Sequence, residues 1–591
     1  MRAFLLALLF AISTAGVIRA AEVRLALTPE NPDLAQALRA ASLTVSAAAD
    51  ADSRAQDILA AARADYQRLI GVLYAKGYYG PEISIRVDGR EAAGLAPFDA
   101  PETIGEVQLR VTPGPQFRFS RARVDPLAPG TALPEGFAPG AIARSTLIED
   151  AAQAGITGWR KVGHAKAQVA DQSITADHRT RQLDAIIRLA PGPELRFGRL
   201  LIRNESRVRT ERIRAIAGLP VGKTFTPDAI DRAAKRLRRS GAFRSVALRE
   251  ADQPNPDGTL DIAATLLDEK KRRLGFGAKL SSQEGLGLSA YWMHRNLLGG
   301  AERLRLDGDV NGIGGNSGGI DFTFGASLSR PATFTPDTTL TFTGLFEVLD
   351  EPEFFERKIE LGVGLAHNYS DRLDVSGGLG LRYAEVNDDL GRRDFLLLTV
   401  PLGVTWDRRD LPLDPSGGFY LYATAEPFVA FDGSTAGARL TADARAYRGL
   451  GERVVLAGRV QIGSVVGPRL DQVPPDMLFF SGGGGTVRGQ PYQSLGVDLT
   501  GSQRTGGRAF LGLSGEVRIG VTDKIGVVGF ADAGFIGADS IPGSDGNWHS
   551  GAGLGLRYET GLGPIRLDVA APTGGSTGDG VQIYIGIGQA F

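Results

Sequence analysis

The sequence predicts an α+β chain: three small β-α-α-β-β repeats, followed by a sixteen-stranded antiparallel transmembrane β-barrel. Three observations carry that prediction. Landmarks recur 78 residues apart before residue 270. Glycine then rises: of 79 glycines, 20 lie in residues 1–270 and 59 in 271–591, roughly 18% of the second part against about 7% in an average protein. The closing stretch VQIYIGIGQAF sorts by parity, with Val581, Ile583, Ile585, Ile587 and Phe591 on one side and small or polar residues on the other, Gln589 being the exception. An aliphatic outside and a small or polar inside, over about eleven residues, is what a tilted strand crossing a bilayer needs.

The chain begins with Met1 and Arg2, the apolar run AFLLALLFAISTAGVI and then RAAEV. Residues 1–20 are therefore expected to be a secretory signal peptide, cleaved after Ala20. No later stretch holds 18 consecutive apolar residues, so no transmembrane helix is expected. Cysteine is absent, which removes disulfides, thiolate metal ligands and thiol nucleophiles. With 66 basic and 67 acidic residues the net charge is −1, and no field draws the chain to nucleic acid.

The repeats are read from two landmarks. LRVTPGPQFRFSRARV (from Leu109) aligns with IRLAPGPELRFGRLLI (from Ile187) at an offset of 78, and KVGHAKAQV around Gly163 aligns with RSGAFRSVAL around Gly241 at the same offset. AKGYYGPEISI around Gly77 precedes the former by 86. Three domains follow, at 21–115, 116–193 and 194–269. In the third, FTPDAIDRAAKRLRRSGAF places Thr226 as a cap, Pro227 at the first helical position, and Ile230, Ala233 and Leu237 on one face. In the first, Ile58, Leu59, Ala62, Tyr66, Leu69, Ile70 and Leu73 make the matching stripe. The basic run Lys235, Arg236, Arg238 and Arg239 reads as a solvated helix face. Function in such domains is expected at sheet edges, where an extended client can add a strand.

Beyond residue 270, runs of strand pattern start near 272, 286, 301, 319, 338, 358, 372, 394, 418, 437, 454, 508, 525, 549, 563 and 581. The number is even, as a bacterial barrel requires. With both barrel ends on the periplasmic side, the longest gap, about 468–507, becomes the sixth external loop. It contains SGGGGTVRGQ, Ser481 to Gln490.

Three such repeats, sixteen strands and a VRG motif in loop six together resemble the BamA/TamA superfamily of outer-membrane assembly barrels. The three-repeat arrangement is most like the TamA branch, and the repeats resemble POTRA domains. In that family the loop folds back into the lumen and its arginine meets acids on strands twelve and thirteen. Val487, Arg488 and Gly489 match the motif, and Glu516 and Asp532 match the acids. An arginine taken into a narrow lumen is costly unless carboxylates receive it, so Arg488 is expected to be a structural latch. Gln490 departs from the family's usual aromatic, with Tyr492 two residues on. RNLLGGAERL and WDRRDLPLDPSGGF fall on periplasmic turns with ordinary turn residues. The closing strand with Phe591 resembles the C-terminal signal of barrel proteins.

The resemblance implies a cofactor-free, non-enzymatic assembly factor of the outer membrane with its N-terminal domains in the periplasm. Unfolded outer-membrane proteins, autotransporters among them, would enter the lipid bilayer through a seam between the first and last strands. Gly275, Gly277, Gly586 and Gly588 weaken those strands, and a weak edge invites β-augmentation. A TamB-like protein anchored in the inner membrane is the implied partner. Two other readings stand beside this one. A two-partner secretion pore would export one dedicated client through the lumen, although such pores usually carry two repeats. A barrel-embedded hydrolase would need a base, yet His164, His178, His294, His367 and His549 are scattered. The sequence holds no HExxH or Walker-type loop.

Overall fold

A computed structural model describes residues 21–50, 52–96, 101–281, 285–315, 318–499, 503–561, 563–578 and 580–591. The expected signal peptide, residues 1–20, lies outside the described residues. The chain divides into two compact units. One comprises residues 1–199, 220–229 and 251–261, the other residues 200–219, 230–250 and 262–591.

Three small mixed sheets precede the barrel, and they are not built alike. In the first, Glu22–Leu27 runs parallel to Glu106–Thr112, which pairs antiparallel with Glu82–Val87. Three helices, Pro32–Ala41, Leu43–Ala49 and Ala55–Ala75, stand where two were expected. The expected stripe is buried in part, with Ile58, Leu59, Ala62, Leu69 and Leu73 packed against Ile85, Val107 and Leu109. The short second helix starts where it does because buried Asp65 accepts from Ser42 Oγ at 2.6 Å and from the amides of Leu43 and Thr44 at 2.8 and 3.0 Å. Those amides would otherwise be orphaned at a helix start.

In the second sheet Arg118–Asp125 runs parallel to Gln182–Ala190, with Gln168–Asp177 on the other side. It has one long helix, Ser145–Lys161, not two. Residues 126–144 hold Pro126, Pro129, Gly130, Pro134, Gly136, Pro139 and Gly140, and so many missing donors and permissive backbones leave no helix to nucleate. The third sheet alone runs β-α-α-β-β: Arg196–Ile202, Thr210–Ala217, Pro227–Arg239, Phe243–Glu250 and Thr259–Asp268.

The remainder is a closed barrel. Among the described residues sixteen staves are seen, the eighth broken into Gly391–Thr399 and Leu402–Asp407. Pro401 has no N–H to give the ladder, so pairing lapses there and resumes. Starts expected at 272, 338, 454 and 525 coincide with Arg272, Thr338, Val454 and Ile525. The largest departure is the sixth strand, expected at 358 and beginning at Phe354. Leu274, Phe276, Leu288, Phe322, Phe324, Ile583 and Ile585 stand exposed on one face, an apolar band that a membrane would cover.

Two expectations are corrected here. Phe591, which parity placed outside, is buried at 6% exposure with Tyr447 and Ala457. The parity rule fails because the strand ends at Ile587. Gly588 then takes φ +88° and the chain turns, its amide donating to the Pro564 carbonyl at 2.7 Å and that of Gln589 to the Leu413 carbonyl at 3.1 Å. The basic run is a solvated face only in part, because three of its four residues also pair with acids. Arg236 forks onto Asp337, with its Nε 2.9 Å from Oδ1; Arg239 Nη2 reaches the same carboxylate at 3.0 Å, and Lys235 pairs with Asp371. Lys235, Arg238 and Arg239 stay exposed as expected, and Arg236 alone is drawn half under.

Candidate functional site: the folded-in loop and the seam

Loop six follows the eleventh barrel strand, Val454–Val466, and leads to the twelfth, Ala509–Gly520. It carries a core of its own: Val473, Met477, Leu478, Phe479 and Leu495 bury against Val465, Phe510 and Ile536. Its first anchor is Asp476, whose Oδ2 lies 2.6 Å from Lys358 Nζ and 3.5 Å from Arg382 Nη1, on strands six and seven.

The second anchor is the arginine. Positive φ at Gly482 and Gly483 (+117° and +86°) turns the glycine run, and Arg488 ends 3% exposed. Its Nε and Nη2 donate to Asp532 Oδ2 and Oδ1 at 2.7 and 3.0 Å, a planar fork on the thirteenth strand, Ile525–Gly537. Nη1 donates to Glu516 Oε1 at 2.7 Å and to Asp568 Oδ2 at 3.4 Å, and the backbone amide returns to Asp532 Oδ2 at 3.1 Å. The guanidinium carbon lies 3.6 Å from the Phe530 ring centre. Burial alone would lower the Arg488 pKa, but the hydrogen bond to Asp532 and the charges of Asp532 and Glu516 outweigh it and raise it. The two forked bonds fix orientation as well as charge, which a lysine could not do.

The carboxylates are shared. Glu516 Oε2 also accepts from Arg518 Nε at 2.9 Å, and Asp568 Oδ1 from Arg557 Nη1 at 2.5 Å. Arg518 Nη2 goes on to the Phe591 carbonyl oxygen at 3.0 Å, and Arg557 Nε to Gln589 Oε1 at 2.8 Å. The network thus runs from loop six to the inturned end of the chain.

The flanking motif residues are held as closely. Val487 is fully buried. Gly489 has φ +93°, and a Cβ there would lie 2.6 Å from the Ala571 carbonyl oxygen; its amide donates to Tyr584 Oη at 3.1 Å on the last strand, Gln582–Ile587. Gln490, where the family pattern has an aromatic, donates through Nε2 to the carbonyls of Ser550 and Gly574 at 2.8 and 3.0 Å and accepts from Thr577 Oγ1 at 2.9 Å. His549 is not isolated: its Nε2 lies 2.8 Å from Ser481 Oγ and its Nδ1 2.8 Å from Thr577 Oγ1. Ser481 and His549 are each 1% exposed, so this pair packs the loop. Asp568, Tyr584, His549 and Phe530 join the site without having been anticipated. Inward parity within PIRLDVAAP was the available signal for Asp568.

The seam is different. Strand one, Arg272–Ser281, registers with strand two over ten positions, and strand fifteen with the last over six. Among the described residues the first and last strands register at one position, Ser281 opposite Tyr584. None of Gly275, Gly277, Gly586 or Gly588 belongs to that pair. A Cβ on Gly275 would strike the Tyr291 ring at 2.2 Å and one on Gly277 the Ser289 hydroxyl at 2.5 Å, both on strand two. Gly586 sits beside Arg566 on strand fifteen, and Gly588 is the turn that ends the last strand. Ile585, Gly586 and Ile587 continue the last strand beyond Tyr584, yet among the described residues they pair with strand fifteen and not with strand one.

A closed barrel with an inward-folded loop, preceded by small α/β domains, defines a class of membrane barrel. The Omp85 superfamily domain matches residues 296–591, half of the chain, and the chain belongs to the Omp85 superfamily. It is similar in structure to BamA from Haemophilus ducreyi lacking POTRA domains 1–3, with TM-score 0.63 at 17% identity, covering 79% of this chain and 99% of that one. CdiB from Acinetobacter baumannii gives TM-score 0.49 at 14% identity, over 79% of this chain and 89% of its own. CdiB from Escherichia coli gives 0.48 at 15%, over 80% and 91%. The fold likeness rests on the first of these.

Proposed function

We propose that this protein is a non-enzymatic assembly factor of the bacterial outer membrane, with residues 1–20 serving as its signal peptide. Three POTRA-like domains face the periplasm and hand unfolded outer-membrane clients to the barrel. The client's strand adds to strand one at the seam and enters the bilayer there. The observation that carries this reading is the single register pair between the first and last strands among the described residues, with 278–280 and 585–587 unpaired across the seam, against ten and six pairs on either side. An edge so little paired is a template for another strand. The filled lumen favours this route over export through a pore, because the Arg488 network and the loop-six core occupy space that an exported chain would need. The three-domain arrangement supports a TamA-like role, with a TamB-like inner-membrane protein as partner and autotransporters as clients.

The seam's own register gives the test. Carried two residues along from Ser281 and Tyr584, it sets Lys279 opposite Gly586. In a chain without cysteine, Lys279→Cys with Gly586→Cys should crosslink on oxidation, stop insertion of a barrel client into vesicles, and recover on reduction. Full insertion with the crosslink complete would sink the seam route and leave the two-partner secretion pore.

A further inference from the structure

The wall beside the seam carries three arginines that have no paired carboxylate among the described residues. Register puts Arg273 opposite Met293, Arg305 opposite Met293, and Arg295 opposite Arg303, so these side chains share one face. It is the luminal face, because the alternate residues Leu274, Phe276 and Leu288 stand exposed on the lipid side. Tyr291 organises the group: the Arg305 guanidinium lies 4.3 Å and that of Arg273 5.9 Å from its ring centre. Arg305 is neutralised, its Nε donating to Asp307 at 2.7 and 2.9 Å. Arg295 Nη1 donates to the Lys270 carbonyl at 3.1 Å, a dipole and not a counter-charge. Among the described residues no carboxylate pairs with Arg273, Arg295 or Arg303, and the charged neighbours of Arg303 are Arg305 and Arg295. Elsewhere the lumen answers its arginines with acids, as at Arg488, Arg518, Arg557, Arg445 and Arg459.

We infer that this luminal surface, Arg273, Arg295 and Arg303 around Tyr291 at the strand-end side of the first three staves, docks an acidic stretch of an extended polypeptide. The inference rests on the proposed assembly role and adds what the client must bring to the seam. Like-charged guanidiniums held side by side favour an anion between them. A phospholipid headgroup fits less well, since its acyl chains would be left in the lumen with the apolar face on the other side of the sheet. A peptide carries its carboxylates on a chain that an aqueous lumen accepts, and Arg273 lies on strand one, the edge its backbone would join.

The test uses the full-length protein in micelles and a fluorescein-labelled peptide of about twelve residues alternating Asp or Glu with Ser. Arg295→Gln with Arg303→Gln should weaken its binding about tenfold, as expected for two partly exposed charges. Arg303→Lys in place of Arg303→Gln should restore most of it, and Arg272→Gln, on the lipid-side parity of strand one, should change nothing. Heat-shifted gel mobility shows that each variant is a folded barrel. Unchanged binding in the double variant overturns the inference. So does displacement of the peptide by inorganic phosphate as readily as by unlabelled peptide at equal ionic strength, or loss of co-purified phosphatidylglycerol from the double variant with peptide binding intact. Binding is read without insertion, so a crosslinked seam that still inserts clients removes the assembly reading and leaves this measurement to stand or fall alone.

Discussion

The barrel wall at strands twelve to fifteen and the wall at strands sixteen and one are parts of one sheet held by different means. At the first, three carboxylates, Glu516, Asp532 and Asp568, converge on one buried guanidinium, and full-length ladders tie each strand to the next. At the second, one register pair among the described residues closes the circle. The difference teaches where a closed barrel can open. A buried ion pair is a poor source of net stability but is very costly to break, whereas a ladder of one pair costs little to part. On the proposed insertion route, the rigidity of the opposite wall would direct opening to the seam as much as the weakness of the seam itself.

Breaking the rigid wall should have the largest effect. Arg488→Ala leaves three buried carboxylates short of a partner and should cost about 3–5 kcal/mol, read as a fall in the urea midpoint of the micelle-bound barrel by tryptophan fluorescence. Asp532→Asn should cost less, and the double variant should be well below additive; additive losses would dissolve the pairing. Next comes Gln490→Ala, which strips donors from two strand-end carbonyls and should cost about 1–3 kcal/mol in the same titration. Smallest is Tyr584→Phe, which removes the hydroxyl bonded to the Gly489 amide and should cost about 1 kcal/mol. Its value lies in where it acts: if loop and seam are coupled, it should also speed oxidation of the Lys279→Cys, Gly586→Cys pair, and an unchanged rate would show the two walls to be independent.

Much of this was legible because period-two alternation is imposed residue by residue. Parity alone orients Glu516 and Asp532 inward, and by the same count Asp568; a rule confined to two strands passes over the third acid. What parity cannot see is where a strand stops. Phe591 was misplaced because a positive φ at Gly588 cancels the alternation, and glycine does not announce its φ. Nor does a helical face reveal partners far along the chain, as with Arg236 and Asp337, 101 residues apart. The loss of a helix from residues 126–144 was the opposite case, written in its prolines and glycines and overridden only by assuming that repeats repeat in every element.

The seat of Arg488 and Gly489 has a consequence for the order of events as the barrel is built. The loop's partners lie 28, 44, 80 and 95 residues downstream, at Glu516, Asp532, Asp568 and Tyr584, and a Cβ on Gly551 would meet the Arg488 carbonyl oxygen at 2.0 Å. So tight a fit predicts that the strands arrive around a loop already in place, with the last strand bonding to Gly489 once the loop is seated. Closure thereby doubles as an inspection of what it encloses.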